Sequence, residues 1–160
     1  MFTKTILPAI LFAVFALSIP HGVLAQQTSQ YYKDMASDIL KYENEHRKVK
    51  GLPALRMNGI VTAAAEKHTR DMATKKLPFG HDGFNERMEK LYKQLKPVYA
   101  FAENVSYGPK TAKEVVEQWL GSEEHKKNIE GKDYNVCGIG IVKSSDSVLY
   151  FTQIFIYRGK

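Results

Sequence analysis

The sequence predicts an α+β fold, a three-layer α–β–α sandwich with a central antiparallel sheet. Two observations carry this. Residues 136–143 and 148–157 are apolar on both alternating faces, with a polar turn at 144–147 between them. Strands of that kind are covered on both sides. Ahead of them come several segments in which apolar residues recur with helical period. The economical arrangement places a hairpin at the centre and helices above and below it.

The chain opens with a leader pattern. Lys4 precedes an apolar run from Ile6 to Ile19, broken only by Pro8 and Ser18, and Val23-Leu24-Ala25 stands before Gln26. Small residues at the first and third positions before a cut suit a signal peptidase. The run is short for a membrane span of about 20 residues. Residues 1–25 therefore read as a signal peptide. Residues 26–160 read as one domain, secreted or periplasmic, with no transmembrane span after cleavage. Losing Lys4 lowers the formal net charge from +6 to +5. That mild excess is scattered over helices and lacks a basic–aromatic ladder, which excludes a nucleic-acid partner. Cys137 is the single cysteine, so no internal disulfide forms. In its strand it reads as a small buried apolar residue.

The elements follow in order. Met35, Ile39, Tyr42, His46 and Val49 mark one face of a first helix over about 32–48, stopped by Gly51 and Pro53, with 26–30 frayed. The basic run His46-Arg47-Lys48-Val49-Lys50 reads as a C-terminal cap. Asn58 is an N-cap for a second helix over about 59–75, with Val61, Ala64, Ala65, His68 and Met72 inward. After a Gly- and Pro-containing loop, 85–95 is a short helix and 98–105 a strand. Thr111 and Glu114 form a capping box for a helix ending at Gly121. Ser122 caps another through about Ile129.

Four histidines follow the leader. His46 and His68, on apolar helix faces, read as structural. His81 lies in the loop Phe79-Gly80-His81-Asp82-Gly83, and His125 in the first turn of a short helix, where the dipole favours a neutral ring. Glu103 sits in the strand Phe101-Ala102-Glu103-Asn104-Val105, where a desolvated carboxylate needs a partner. One carboxylate and two histidines can bind a divalent cation. They can equally form a hydrogen-bonded network without chemistry. No HExxH, GxSxG, phosphate loop or CxxC is present.

Taken in order, several segments resemble the CAP superfamily (cysteine-rich secretory proteins, antigen 5, pathogenesis-related 1) in its bacterial SCP-like branch. They are Asn44-Glu45-His46-Arg47 with Gly51-Leu52-Pro53-Ala54-Leu55, Ala64-Ala65-Glu66-Lys67-His68, the His81 loop with Gly83 and Arg87, and Ala102-Glu103-Asn104-Val105. They continue with Trp119 through Ile129, then Gly138-Ile139-Gly140, and close with Tyr150 through Phe155. The resemblance implies the α–β–α sandwich and a solvent-open cavity. In eukaryotic members that cavity is lined by two histidines and two glutamates and in some binds zinc. His81 and Glu103 match one of each. The other glutamate falls at Ser122 and the other histidine at Tyr150, so half the tetrad is replaced. His125 belongs to the bacterial Trp-x-x-Ser-x-x-His pattern.

The expected cavity residues are therefore His81, Glu103, Ser122, His125 and Tyr150. His81, Glu103 and His125 form a metal set for a divalent cation such as zinc, and no cofactor is required. Three functions fit. The first is a non-enzymatic binding module for a small molecule, lipid-like or a cation. The second is a metal-assisted hydrolase or peptidase with Glu103 as base beside His81 and His125. The third is a cell-envelope interaction protein with a vestigial cavity. The oligomeric state is left open.

Overall fold

A computed structural model describes residues 21–159, with side chains from Gln26 onward. The leader expectation therefore lies outside the described residues, apart from the backbone of its last five. The elements are α1 (His21–Val49), β1 (Arg56–Met57), α2 (Gly59–Ala73), α3 (Phe84–Leu95), β2 (Ala100–Tyr107), α4 (Ala112–Leu120), α5 (Glu123–Ile129), β3 (Val136–Lys143) and β4 (Leu149–Tyr157). The sheet order is β1-β3-β4-β2. β3–β4 and β4–β2 are antiparallel, and the two-residue β1 adds a parallel pair to β3. β1 is too short to leave a periodic trace in the sequence. Helices cover both faces of this sheet, as expected.

One face buries Val61, Ala65, Met88, Leu91, Ile154 and Ile156 beneath α2 and α3. The other buries Ile39, Trp119, Cys137, Ile139, Phe151 and Phe155 beneath α1 and α4. Gly138 and Gly140 explain how close α2 lies. A Cβ at Gly138 would collide with the backbone of Val61 and Thr62, and one at Gly140 with Ala65 and Glu66. Glycine in a strand interior here marks the close approach of another backbone.

The caps divide. Asn58 accepts from the amides of Ile60 and Val61, and Thr111 from that of Glu114, as expected. The reciprocal Glu114 carboxylate accepts from the amide of Lys110, one residue before the cap. Ser122 has cap backbone geometry but no capping hydrogen bond.

Helix α1 departs most from its expected face. Residues 26–30 are helical, not frayed. Val49 is 86% exposed, and the buried stripe runs Met35, Ile39, Glu43, Arg47. The spacing is four throughout, so two charged residues continue an apolar face. Arg47 is thus not a solvated helix cap. Its guanidinium donates to the carbonyls of Pro53 (2.8 Å), Ile129 (2.5 Å), Gly131 (3.0 Å) and Tyr134 (3.1 Å), fastening the loop after α1, the end of α5 and the loop that follows it to α1. Strand β2 also starts two residues later than expected and ends at Tyr107, before Gly108 turns the chain with φ +101°.

Candidate functional site

Glu103 is the centre of a polar cluster on the α2–α3 face of the edge strand β2. Strand alternation aims its side chain at that layer, and its carboxylate is 1% exposed. Arg87, one turn into α3, grips it with a fork. Nε donates to Oε2 and Nη2 to Oε1, both at 2.8 Å. His81 Nδ1 lies 3.0 Å from Oε1. Burial alone would raise the Glu103 pKa, but the hydrogen bonds from His81 and Arg87 and the guanidinium charge outweigh it and hold the carboxyl below its usual range. An ionised Glu103 only accepts, so His81 Nδ1 carries the proton. The imidazole, about half exposed, leaves its Nε2 free to face solvent.

His68 stands behind the pair with its side chain fully buried, Nε2 3.7 Å from Glu103 Oε1. Its Nε2 donates to the carbonyl of Gly80 at 2.9 Å, and Nδ1 has no partner. Burial lowers its pKa, opposed by Glu103 and reinforced by Arg87, so the ring is neutral at pH 7. His68 therefore also positions the His81 loop, through Gly80.

Burial first and His81 second lower the His125 pKa. The strand and α5 are tied by amides. Asn104 Nδ2 donates to the His125 carbonyl (3.1 Å), and Asn128 Nδ2 donates to Asn104 Oδ1 (2.8 Å). Tyr150 pairs across the sheet with Tyr107 and stacks on it at 5.6 Å, with Phe79 edge-on to both. Ser122 stays at the start of α5, and no hydrogen bond joins it to Glu103 or His81.

The structure thus joins His81 to Glu103, ties the His125 backbone to the same strand through Asn104, and places Tyr150 in an aromatic group beside the His81 loop. Sequence reasoning missed Arg87 and His68 as members. Arg87 left a signal: a cation in the first turn of a helix opposes the dipole and asks for a carboxylate elsewhere. His68 left only its position on an alanine-rich face.

As placed, His81, Glu103 and His125 do not fit a divalent cation. Both oxygens of Glu103 are already held by Arg87, and among the described residues no three His, Cys, Asp or Glu side chains are grouped to hold a metal. Glu103 is also a poor general base, because its proton affinity is lowered and its lone pairs are engaged. Beside this cluster, α2 and α3 enclose a groove of about 640 Å³. Ile60, Ala63, Ala64, Leu77 and Leu91 supply apolar walls, Lys67, Lys90 and Glu86 stand among the lining residues, and His68 and Arg87 complete the lining. None of the five expected cavity residues, His81, Glu103, Ser122, His125 and Tyr150, lines it.

Comparison with known proteins agrees with this architecture. YkwD of Bacillus subtilis is 31% identical over 121 residues, spanning 74% of this chain and 45% of that protein. This chain therefore spans less than half the length of that relative. Among solved structures, an outer surface protein of Borrelia burgdorferi superposes with a TM-score of 0.71 at 21% identity, covering 79% of this chain and 95% of that one. An extracellular SCP-domain protein of Bacillus anthracis gives 0.67 at 23%, covering 79% and 41%. Among the described residues no helix is long and apolar enough to cross a membrane. The cysteine-rich secretory protein family, CAP, matches residues 40–155, nearly the whole span from the middle of α1 to the end of β4, and the chain belongs to that family.

Proposed function

We propose that the chain is an extracytoplasmic, non-enzymatic binding module that holds a lipid-like molecule in the groove between α2 and α3. The observation that carries this reading is the groove itself. It is an apolar trough of about 640 Å³ with lysines and carboxylates among its lining residues. Pockets of 300–1,000 Å³ with apolar walls and few polar groups are the usual form of small-molecule sites. The Glu103–Arg87–His81 cluster supports a binding role over hydrolysis. It has no nucleophile, and its carboxylate is saturated with donors, so it serves to fix α3 and the His81 loop against the sheet. The leader pattern, and the extracellular protein of Bacillus anthracis that shares the fold, support an extracytoplasmic location.

Native mass spectrometry of the purified protein, with and without chelator, tests the reading together with titration of a fluorescent fatty acid. The expected result is retained or added lipid, no chelator-sensitive mass, and loss of the fluorescent complex in Ala63→Trp, which fills the trough from an exposed position. Binding unchanged by Ala63→Trp, or no lipid binding at all, overturns it.

A further inference from the structure

The buried cluster around Glu103 holds one short loop, and what that loop presents is turned outward. His68 Nε2 donates to the Gly80 carbonyl at 2.9 Å, His81 Nδ1 to Glu103 at 3.0 Å, and Arg87 Nη1 to the Asp82 carbonyl at 3.2 Å. Three consecutive residues are thus tied down from behind. Just ahead of them Phe79 is 47% exposed, and the His81 ring is about half exposed with its Nε2 free. A loop already fixed in this way lowers the ordering cost of whatever binds its outer side.

Phe79 does not stand alone. Its ring packs edge-on against Tyr107, the last residue of β2, at 4.8 Å and against Tyr150 of β4 at 6.4 Å. Tyr107 and Tyr150 are register partners, and their ring planes lie within 22° of each other. The two tyrosines therefore form a floor, and Phe79 a wall inclined to it by 72° and 62°. Tyr107 is 52% exposed, so this corner opens to solvent. The cation–ring contact found among the described residues lies elsewhere, with Lys96 over Tyr92.

We infer that this corner is a carbohydrate site, which takes a pyranose oligosaccharide. The face of an aromatic ring is negative, and the C–H face of a sugar ring is apolar and slightly positive, so the two stack. The tyrosine hydroxyls supply polar partners at the rim. So does His81: its Nδ1 carries the proton, so its Nε2 accepts from a sugar hydroxyl. Area argues against a protein partner. Three partly exposed rings offer roughly 200–300 Å², well below the about 800 Å² that each side of a stable protein interface buries. A floor and one wall do not surround an acyl chain either. Glu103, which holds His81, and Tyr107 lie four residues apart on one strand face, about 13 Å. His81 therefore stands beyond the reach of a sugar ring seated on the tyrosines, and a chain of rings is needed to touch both. None of Phe79, His81, Tyr107 and Tyr150 lines the α2–α3 groove, so this site is separate from that of the lipid-like molecule.

The test is amide and aromatic NMR of the labelled protein titrated to millimolar with chitotetraose and with cellotetraose. N-acetylglucosamine and glucose serve as the matching single rings. The expected result is a set of shifts centred on Phe79, Tyr107, Tyr150 and the His81 ring with at least one tetramer, and much weaker binding of its single ring. Phe79→Leu and Tyr107→Leu keep apolar bulk at exposed positions but remove the π face, and each should weaken binding several-fold. Ala63→Trp, which fills the α2–α3 groove, should leave sugar binding unchanged, so the two sites stand or fall separately. No shifts with either tetramer, or shifts centred away from these rings, overturns the inference. So does parental binding by both leucine variants, a single ring that binds as tightly as its tetramer, or loss of sugar binding in Ala63→Trp.

Discussion

Two glutamates are buried in this domain, one on each face of the sheet, and they are treated in opposite ways. On the α2–α3 face, Glu103 meets a guanidinium fork and an imidazole, and is kept ionised. On the α1 face, Glu43 is 0% exposed and accepts one hydrogen bond, from Gln153 Nε2 at 2.5 Å. Burial pushes it up to about 8, opposed by the Gln153 amide and the nearby Arg47 charge. Arg47 is near but spends its donors on four carbonyls. Glu43 Oε1 and Gln153 Oε1 both lack a partner. While Glu43 is ionised neither oxygen can be given a proton, whereas protonated Glu43 supplies the missing donor. The contrast teaches that burial alone does not decide a carboxyl's state. The direction of the nearest cation's N–H groups does.

The largest effect should come from breaking the fork. Arg87→Gln removes the cation and leaves Glu103 with the His81 Nδ1–H as its near donor, closer to the situation of Glu43. Breaking a buried pair on one side leaves an uncompensated charge, which costs about 3–5 kcal/mol. Urea unfolding at pH 7 should show a loss of that size, and the loss should shrink as pH falls and Glu103 takes up a proton. Arg87→Gln/Glu103→Gln should recover much of it. A double variant no more stable than the single one would mean that Arg87 holds α3 by packing and not by charge.

Next in size is the pH dependence on the other face. Glu43 is raised from 4.5 to about 8 on folding. Between those values the folded protein keeps a proton that the unfolded chain releases, so stability falls as pH rises through the window and levels off above it. Each unit is worth about 1.4 kcal/mol, so the whole loss is of order 3–5 kcal/mol. Glu43→Gln should remove this slope and leave the protein about 2–4 kcal/mol more stable than the parent at pH 9. Glu103 has the reverse sign. Its lowered pKa contributes stability above the unfolded value and loses it as pH falls through the folded value. The wild-type profile should therefore decline on both sides of mildly acidic pH, and each glutamate variant should flatten one side. A Glu43→Gln profile parallel to that of the parent from pH 5 to 9 would place the titration elsewhere.

The two glutamates also differed in how visible they were in the sequence. Glu103 stands alone among apolar strand residues, so its burial could be read, and the surrounding motif fixed its place in the family. Glu43 lies in Lys41-Tyr42-Glu43-Asn44-Glu45 and looks solvated. Only the four-residue step from Met35 and Ile39 through Glu43 to Arg47 shows that it faces inward, and an apolar tally follows Tyr42 and Val49 instead. Gln153, polar within Phe151-Thr152-Gln153-Ile154, was the remaining hint of a buried partner. The sandwich, the central hairpin and most element limits were legible because they rest on periodicity. The Arg87 fork left only a cation set against a helix dipole, which names no partner, and the α2–α3 groove left nothing, because the first depends on how α3 is laid against β2 and the second on how it is laid against α2.

The smallest effect tests whether His81 matters to the Glu103 side of the contrast or only decorates it. Its Nδ1–H is one of three donors to the carboxylate, and the ring is about half exposed, so solvent can replace part of what it gives. His81→Ala should therefore cost about 1 kcal/mol, well below Arg87→Gln. It should also raise the Glu103 pKa without bringing it to the Glu43 value, because Arg87 still holds both oxygens. Titration of the Glu103 side-chain carboxyl carbon by NMR reads this directly. His81→Asn, which keeps a short donor, should sit between the parent and His81→Ala. A Glu103 pKa unmoved by His81→Ala would leave Arg87 as sufficient by itself, and would recast His81 as a group the fold presents to solvent through its free Nε2.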